Sequence, residues 1–295
     1  MTRLRIAAAA YPVEALPSWE AYAAKLDTWV AEAAGQADLL VFPEYAGVEA
    51  TLAGLSDPPE DPKDWLALTS AADPALVALH SDLAARHGVA ILSGSNLVAC
   101  GTGHVNRARL HLPSGAVGQQ DKIVPTPWER RDLALQGGTG LTAFDTPFGR
   151  IGVLICYDGE FPILARALAE AGCWLILIPS ATEKTAGYWR VRIGAMARAL
   201  EQRCITVQAP LSGFTPKCAL IDINVGAAGV FCPPDEGFPP TGIVALGQIE
   251  TPGWTFATVD RADFDHAAPV AQVSNPSDWP MQAGPARNVA IQALC

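Results

Sequence analysis

Apolar residues run along this chain in two alternating patterns: short continuous runs, which suit strands buried on both faces, and stripes at helical spacing. Leu4 to Ala10 is a run and predicts a first strand. Ser18 to Ala34 predicts a helix, with Ser18 as cap, Tyr22, Leu26 and Val30 on one face, and Gly35 as stop. Asp38-Leu-Leu-Val-Phe-Pro43 is again a run. Asp73-Pro74 predicts the opening of a helix carrying Leu76, Leu79 and Leu83, closed by Gly88 before a strand from Val89 to Leu92. The order so far is β-α-β-α-β.

Val105 to Leu112 and Ala116 to Asp121 flank the turn residues Pro113-Ser-Gly115, which makes them a hairpin and brings antiparallel pairing into the sheet. A second pair is expected around Pro147-Phe-Gly149. After it come a helix from Phe161 to Ala171, a strand from Trp174 to Ile178, a longer helix from Tyr188 to Glu201, and a strand from Cys204 to Gln208. Lys217 to Ile223, Ala227 to Phe231 and Trp254 to Val259 read as strands between Gly/Pro-rich loops. This count predicts an α/β fold, with strands in two sheets and helices outside them. One domain is expected over 1–265. From about His266 the periodicity fades, so 266–295 reads as a tail, either an arm contacting a partner subunit or a poorly ordered end.

Composition narrows the function. Half of the 295 residues are hydrophobic and 17% are charged, which fits a large core and leaves room for a subunit contact. A net charge of −10 without a Lys/Arg cluster argues against nucleic acid and against anionic membrane surfaces. The seven cysteines contain no C-x-x-C pair, so neither a disulfide framework nor a zinc site is expected. The start, Thr2 to Pro12, only faintly imitates a signal peptide, and no apolar run approaches the length of a membrane span. A cytoplasmic location is the simplest expectation.

Three segments carry candidate chemistry. Cys156 ends the apolar run from Arg150 and precedes a helix; a strand-to-helix turn exposes a nucleophile and leaves free N–H groups beside it. Glu44 follows a buried strand ending in proline, where partial desolvation raises a carboxyl pKa and suits it to act as a base. Lys122 ends the hairpin strand, and Glu129 lies further along the same segment. An ammonium between two glutamates stays protonated, and serves to stabilise a thiolate or an oxyanion. Taken singly, each has a plainer reading: a packed thiol, a loop glutamate, a solvated charge cluster. Together they repeat one arrangement, a reactive side chain at a strand end, where open α/β sheets form their ligand crevice.

On these segments the chain resembles the nitrilase superfamily of carbon–nitrogen hydrolases, from residue 4 to about 265. Glu44, Lys122 and Cys156 match its Glu-Lys-Cys triad in order and context. Lys122-x-x-Pro125-Thr126-x-x-Glu129-Arg130 is similar to its lysine segment, and Cys156-Tyr-Asp-x-x-Phe161-Pro162 to the nucleophile segment of amidase-like branches. Gly187-Tyr-Trp-Arg-Val-Arg192 with Ala197-Arg-Ala-Leu-Glu201 is similar to a bacterial branch often fused to a GNAT-type acetyltransferase domain, which is not expected within these residues. Gln202, where that superfamily usually has asparagine, and Ala209-Pro210 depart from the pattern. Tyr157-Asp158 after the cysteine favours amides over nitriles.

The resemblance implies an α-β-β-α sandwich of two mixed sheets, and a homodimer packed through the helices after the nucleophile. It also implies a cysteine-dependent amidase that cleaves a small amide through a thioester, with the Tyr157 backbone N–H in the oxyanion hole and Glu129 as auxiliary. Tyr45, Trp128, Glu160, Tyr188 and Trp189 flank these segments and are candidate substrate contacts. No cofactor or metal is signalled: Gly101-Thr-Gly103 lacks a third glycine and Gly137-Gly-Thr-Gly140 lacks a phosphate-loop lysine. The alternatives are a nitrilase, an acyl-transferring amidase with the same residues, or a catalytically silent interaction protein.

Overall fold

A computed structural model describes residues 3–293 apart from 217, 268–269, 272, 283 and 288. β1 (Arg3–Ala10) is buried on both faces along most of its length. Leu4, Ile6 and Ala8 join the core between the two sheets, while Ala7 and Ala9 join the core under the helices, as the two-residue period of a strand requires. Small side chains on the helical side let α1 (Trp19–Ala34) lie close. Ser18 Oγ accepts from Ala21 N at 3.3 Å, and Tyr22, Leu26, Val30 and Ala33 form the buried stripe.

β2 (Leu39–Val41) and a short α2 (Val48–Leu52) lead to α3 (Trp65–His87), where expectation and structure part. The helix expected to open at Asp73-Pro74 begins at Trp65 and carries Pro74 inside. Its start is set by Asp61, whose side chain accepts from Lys63 N at 2.9 Å and caps a 3-10 turn, Pro62–Asp64, that feeds into α3. An internal proline forfeits one helical hydrogen bond. The region around it is held by Arg109, bidentate to Asp73 at 2.7 Å on each oxygen, and by Asn96 Nδ2, which donates to the Thr69 carbonyl at 3.0 Å. Gly88 (φ 63°) ends the helix as a left-handed cap.

β3 (Ala90–Cys100) runs well past the expected Leu92 and turns back into β4 (Gly103–His111), which the predicted Pro113-Ser-Gly115 turn joins to β5 (Val117–Asp121). α4 (Pro127–Asp132), β6 (Phe144–Thr146) and β7 (Gly149–Val153) follow, then a 3-10 turn, Cys156–Glu160, α5 (Pro162–Glu170), β8 (Leu175–Ser180), α6 (Thr185–Gln202) and β9 (Ile205–Pro210). The strand expected from Lys217 to Ile223 is absent among the described residues. Residue 217 lies outside them, and turn bonds from Cys218 N to Thr215 O and Ile221 N to Cys218 O curl the segment that follows. What pairs there is β10 (Gly213–Phe214) with β11 (Ile223–Asn224). β12 (Gly229–Phe231), β13 (Ile243–Leu246) and β14 (Gly253–Asp260) complete the sheets.

One sheet has the order β14-β1-β2-β3-β4-β5 and the other β13-β12-β9-β8-β7-β6. Each has three central parallel strands flanked by antiparallel ones. They stack through Ile6, Val41 and Leu92 on one side and Val153, Leu177 and Val207 on the other, with α1 and α3 over the first sheet and α5 and α6 over the second. The result is an α-β-β-α sandwich. Beyond it lie α7 (Ala262–Ala267), α8 (Asn275–Gln282) and a 3-10 turn, Pro285–Arg287. The fading periodicity of 266–295 therefore conceals helical turns, and Trp279 of α8 packs 4.9 Å from the Arg166 guanidinium of α5. Cys295 lies outside the described residues, and the other six cysteines are free thiols. No described helix is long and apolar enough to cross a membrane.

Candidate active site

The ends of β2, β5, β7 and β8 deliver Glu44, Lys122, Cys156 and Ala181 to one place. Glu44 is put there by an irregularity in the neighbouring strand. The β3–β4 register shifts between Leu92 and Ser95, and Gly94 takes φ 73° so closely against the chain that a Cβ would sit 1.9 Å from the Pro43 carbonyl oxygen. With β3 pressed in, Ser95 N donates to Pro43 O (3.2 Å), Gly47 N to Ser95 O (3.2 Å), and Tyr45 N to Ser95 Oγ (3.0 Å). This holds Tyr45 at φ 61°, a conformation that costs a bulky residue roughly 1–3 kcal/mol.

The sequence suggested a partly desolvated Glu44 at a sheet edge; the structure buries it to 1% exposure. Its Oε1 accepts from Lys122 Nζ at 2.7 Å and from Asn106 Nδ2 at 2.9 Å, while its Oε2 accepts from Ala181 N at 3.0 Å. Lys122 is equally buried, and its Nζ also lies 2.8 Å from Glu129 Oε2. Glu129 takes the Tyr45 hydroxyl on Oε1 and forms a capping box with Thr126 at the start of α4. Burial pushes the Glu44 carboxyl above the usual carboxylate range despite Lys122, and the Glu129 charge adds to this. Burial acts on Glu129 in the same sense, but Lys122 and hydrogen bonds from Lys122, Tyr45 and Thr126 bring it below the usual range. Burial works against the Lys122 ammonium, yet the two carboxylates outweigh it and raise its pKa.

Cys156 stands three residues beyond β7, at φ 49°. The left-handed backbone turns the chain sharply into the 3-10 segment and leaves the thiol in contact with Glu44. Sγ lies 3.8 Å from the Ala181 carbonyl, so one residue binds the carboxylate through its N–H and the thiol through its C=O. Burial raises the thiol pKa well above its usual value, and the Glu44 charge adds to this, with Lys122 opposing. Below the thiol, Asp158 accepts from Ile123 N at 3.0 Å and Val124 N at 2.8 Å, tying the cysteine turn to the loop after Lys122.

These groups form the floor of an open cleft of about 490 Å³, a volume that suits a small molecule. Of the candidate contacts, Tyr45, Trp128 and Glu160 line it, together with Tyr157. Tyr188 and Trp189 do not. α6 turns Tyr188 fully inward, where its hydroxyl accepts from Arg192 Nη1 at 3.3 Å, and the Trp189 ring stacks 4.7 Å from the Arg192 guanidinium. Glu160 faces Arg190 at 3.3 Å, so its charge is partly answered from within the protein. Asn106 and Ala181 escaped the sequence reading, which took Asp158 only as a mark of amide preference. Asn106 is a buried polar position in a strand and Asp158 a polar residue in the nucleophile segment, both visible signals; Ala181 acts only through its backbone and left none.

A four-layer sandwich with a thiol, an ammonium and two carboxylates gathered at the strand ends marks a class of enzyme-like scaffold. The chain belongs to the carbon–nitrogen hydrolase family, whose sequence model matches residues 5–217, and so to the nitrilase superfamily. It is 33% identical over 244 residues to the probable hydrolase YhcX of Bacillus subtilis, a match covering 82% of this chain and 47% of that protein. The chain thus spans about half the length of that curated relative. Among solved structures, a carbon–nitrogen hydrolase superfamily protein of Xanthomonas campestris with an arsenic adduct in its active site superposes with a TM-score of 0.73, at 19% identity, over 99% of this chain and all of that one (100%). A double mutant of the amidase from Nesterenkonia sp. AN1, in complex with acrylamide, superposes at 0.69, with 21% identity, over 90% of this chain and 93% of that one.

Proposed function

We propose that this carbon–nitrogen hydrolase is a cysteine-dependent amidase that cleaves a small amide through a thioester. The observation that carries the reading is a thiol, at a left-handed turn, beside a buried carboxylate of raised pKa that a buried lysine holds through Oε1. Glu44 takes the Cys156 proton as Sγ attacks the amide carbonyl carbon. The carbonyl π electrons move to oxygen, and this oxyanion is met by the Lys122 ammonium and the Tyr157 N–H. The first N–H groups of a helical turn lack partners within it, which frees the Tyr157 donor for this use. Glu44 then gives its proton to the leaving nitrogen as the C–N bond breaks, releasing ammonia or an amine and leaving the thioester. Water repeats the sequence: Glu44 takes its proton, the oxygen adds to the thioester carbon, and Sγ departs, recovering the proton. Glu129 keeps Lys122 charged and aimed.

The amidase relative among the solved structures supports an amide over a nitrile, and so does the Tyr157-Asp158 sequence after the nucleophile. A panel of aliphatic amides, ω-amides, N-carbamoyl compounds and nitriles, assayed for ammonia, tests the reading. Release from at least one amide, lost in Cys156→Ala, is expected; a protein that turns over nitriles alone overturns it. The unit at work is a homodimer, with the outer face of α5 and α6 as its contact. Ile163 and Ile193 there are 79% and 62% exposed, whereas α1 and α3 carry no exposed large apolar side chain among the described residues.

A further inference from the structure

Asn106 sits at the centre of the charge cluster without being part of its chemistry. It is carried by β4, is 1% exposed, and its backbone carbonyl accepts from Lys122 N at 2.8 Å. Its side-chain Nδ2 donates to Glu44 Oε1 at 2.9 Å and to Glu129 Oε1 at 3.3 Å. Two carboxylate oxygens on one nitrogen allow only this orientation of the amide, since an oxygen in its place would face both as a third acceptor. The opposite atom, Oδ1, is buried with no partner. A buried acceptor left unsatisfied carries the full cost of its desolvation. That cost falls on the end of the amide opposite the one that bridges the two carboxylates.

Resting on the assignment of Glu44 as the base, we propose that Asn106 is a positioning residue. Its amide bridges Glu44 and Glu129, keeps both facing one lysine, and fixes Glu44 Oε1 so that Oε2 is the oxygen presented to Ala181 N and the thiol. Lys122 cannot do this alone. A rotatable ammonium attracts both carboxylates but gives little direction, whereas a planar amide held by its own strand sets one oxygen of Glu44 in place. The groups facing Glu44 are Lys122, Glu129, Cys156, Tyr45, the Ala181 N–H and Asn106, and Asn106 is the neutral side chain that donates to both Glu44 and Glu129.

Iodoacetamide serves as the probe, because alkylation of Cys156, read from the mass of the proteolytic peptide that carries it and so kept apart from the exposed Cys100, needs no knowledge of the substrate. In the wild type, the labelling rate of Cys156 rises with pH as Glu44 ionises and then levels. Loss of an N–H donor to a carboxylate makes its ionisation harder, so Asn106→Ala shifts that rise upward by about one pH unit. Asn106→Asp keeps the volume and replaces the amide with a third carboxyl group facing Glu44 and Glu129, which disfavours ionisation of the cluster and shifts the rise at least as far. Asn106→Ser, which retains a hydroxyl donor, falls between Ala and wild type. Circular dichroism and urea midpoints report whether each variant is folded. Folded Ala and Asp variants with the wild-type pH profile overturn the proposal, as does failure of both to fold, which makes Asn106 a residue of the fold alone. Glu44→Gln separates the two claims: if its labelling matches wild type in rate and profile, Glu44 is not the base and the proposed reaction fails, whatever Asn106 does.

Discussion

Asp158 Oδ1 accepts the backbone N–H of Val124 at 2.8 Å, and through that bond the turn bearing Cys156 is fastened to the loop that follows Lys122. The second oxygen takes Ile123 N at 3.0 Å, so the carboxylate spans two consecutive amides. Burial raises its pKa to about 6 against these bonds, which oppose the shift. The sign is that of an acid whose folded pKa exceeds its unfolded one: its contribution to stability is full below about pH 4 and is lost as pH rises through about 6. Asp158→Asn removes this titration and turns one donor toward a backbone donor. Urea unfolding across that range is expected to show a flatter pH dependence than wild type, and amide turnover to fall at least about tenfold as the two loops part. An unchanged slope refutes the link.

Lys122 is the one cation inside a cluster that also holds the Glu44 and Glu129 carboxylates, all three nearly sealed from water. Lys122→Ala leaves two buried negative charges facing each other, and removing one partner from such a group costs about 3–5 kcal/mol. Both carboxyl pKa values rise when the ammonium goes, so the deficit shrinks as pH falls and the glutamates protonate. Chemical denaturation at pH 7 and pH 5 checks this: the gap between wild type and variant narrows at the lower pH. A constant gap shows that packing, not charge, dominates.

At Cys156 the φ of 49° is tolerated for the sake of the side chain. Left-handed backbone costs an L-residue roughly 1–2 kcal/mol, and glycine avoids that cost. Cys156→Gly is therefore expected to be more stable than Cys156→Ala by about 1 kcal/mol, the reverse of their order in a regular helix, with both inactive. Thermal unfolding of the two variants side by side decides it. Equal or reversed midpoints sink the claim that the turn is strained.

Much of this was legible in the sequence, for identifiable reasons. Leu4 to Ala10, Asp38 to Pro43 and Trp174 to Ile178 announce buried strands because a strand covered on both faces must be apolar throughout. Glu44, Lys122 and Cys156 were legible because a reactive side chain after such a run has only the sheet end to occupy. Pro74 misled because proline usually opens a helix, and only the long-range clamp of Arg109 on Asp73 tells that it sits inside one. The same limit hid Asn106 and Ala181. Their roles depend on which atoms lie across the sandwich, Ala181 N being 137 residues from Glu44, and no local pattern encodes that. Tyr188 and Trp189 failed as cleft residues because the rotation of α6 decides which way consecutive side chains turn.

The proposed dimer contact places Ile163 of α5 and Ile193 of α6 against a second copy. Both helices cover the sheet that carries Cys156, and Gly194, where a Cβ would come 2.9 Å from the Gly159 carbonyl, lets α6 press directly on the cysteine turn. Burying this face would therefore support the site without any residue crossing into it. Ile163→Glu combined with Ile193→Glu introduces charges at the centre of the contact, where an unpaired carboxylate is costly to desolvate. Light scattering is expected to give twice the chain mass for wild type and the chain mass, 31.0 kDa, for the double variant. The isolated subunit is expected to lose amidase activity in part while keeping its far-ultraviolet circular dichroism. A monomeric wild type, or a double variant that remains dimeric, removes this face from consideration.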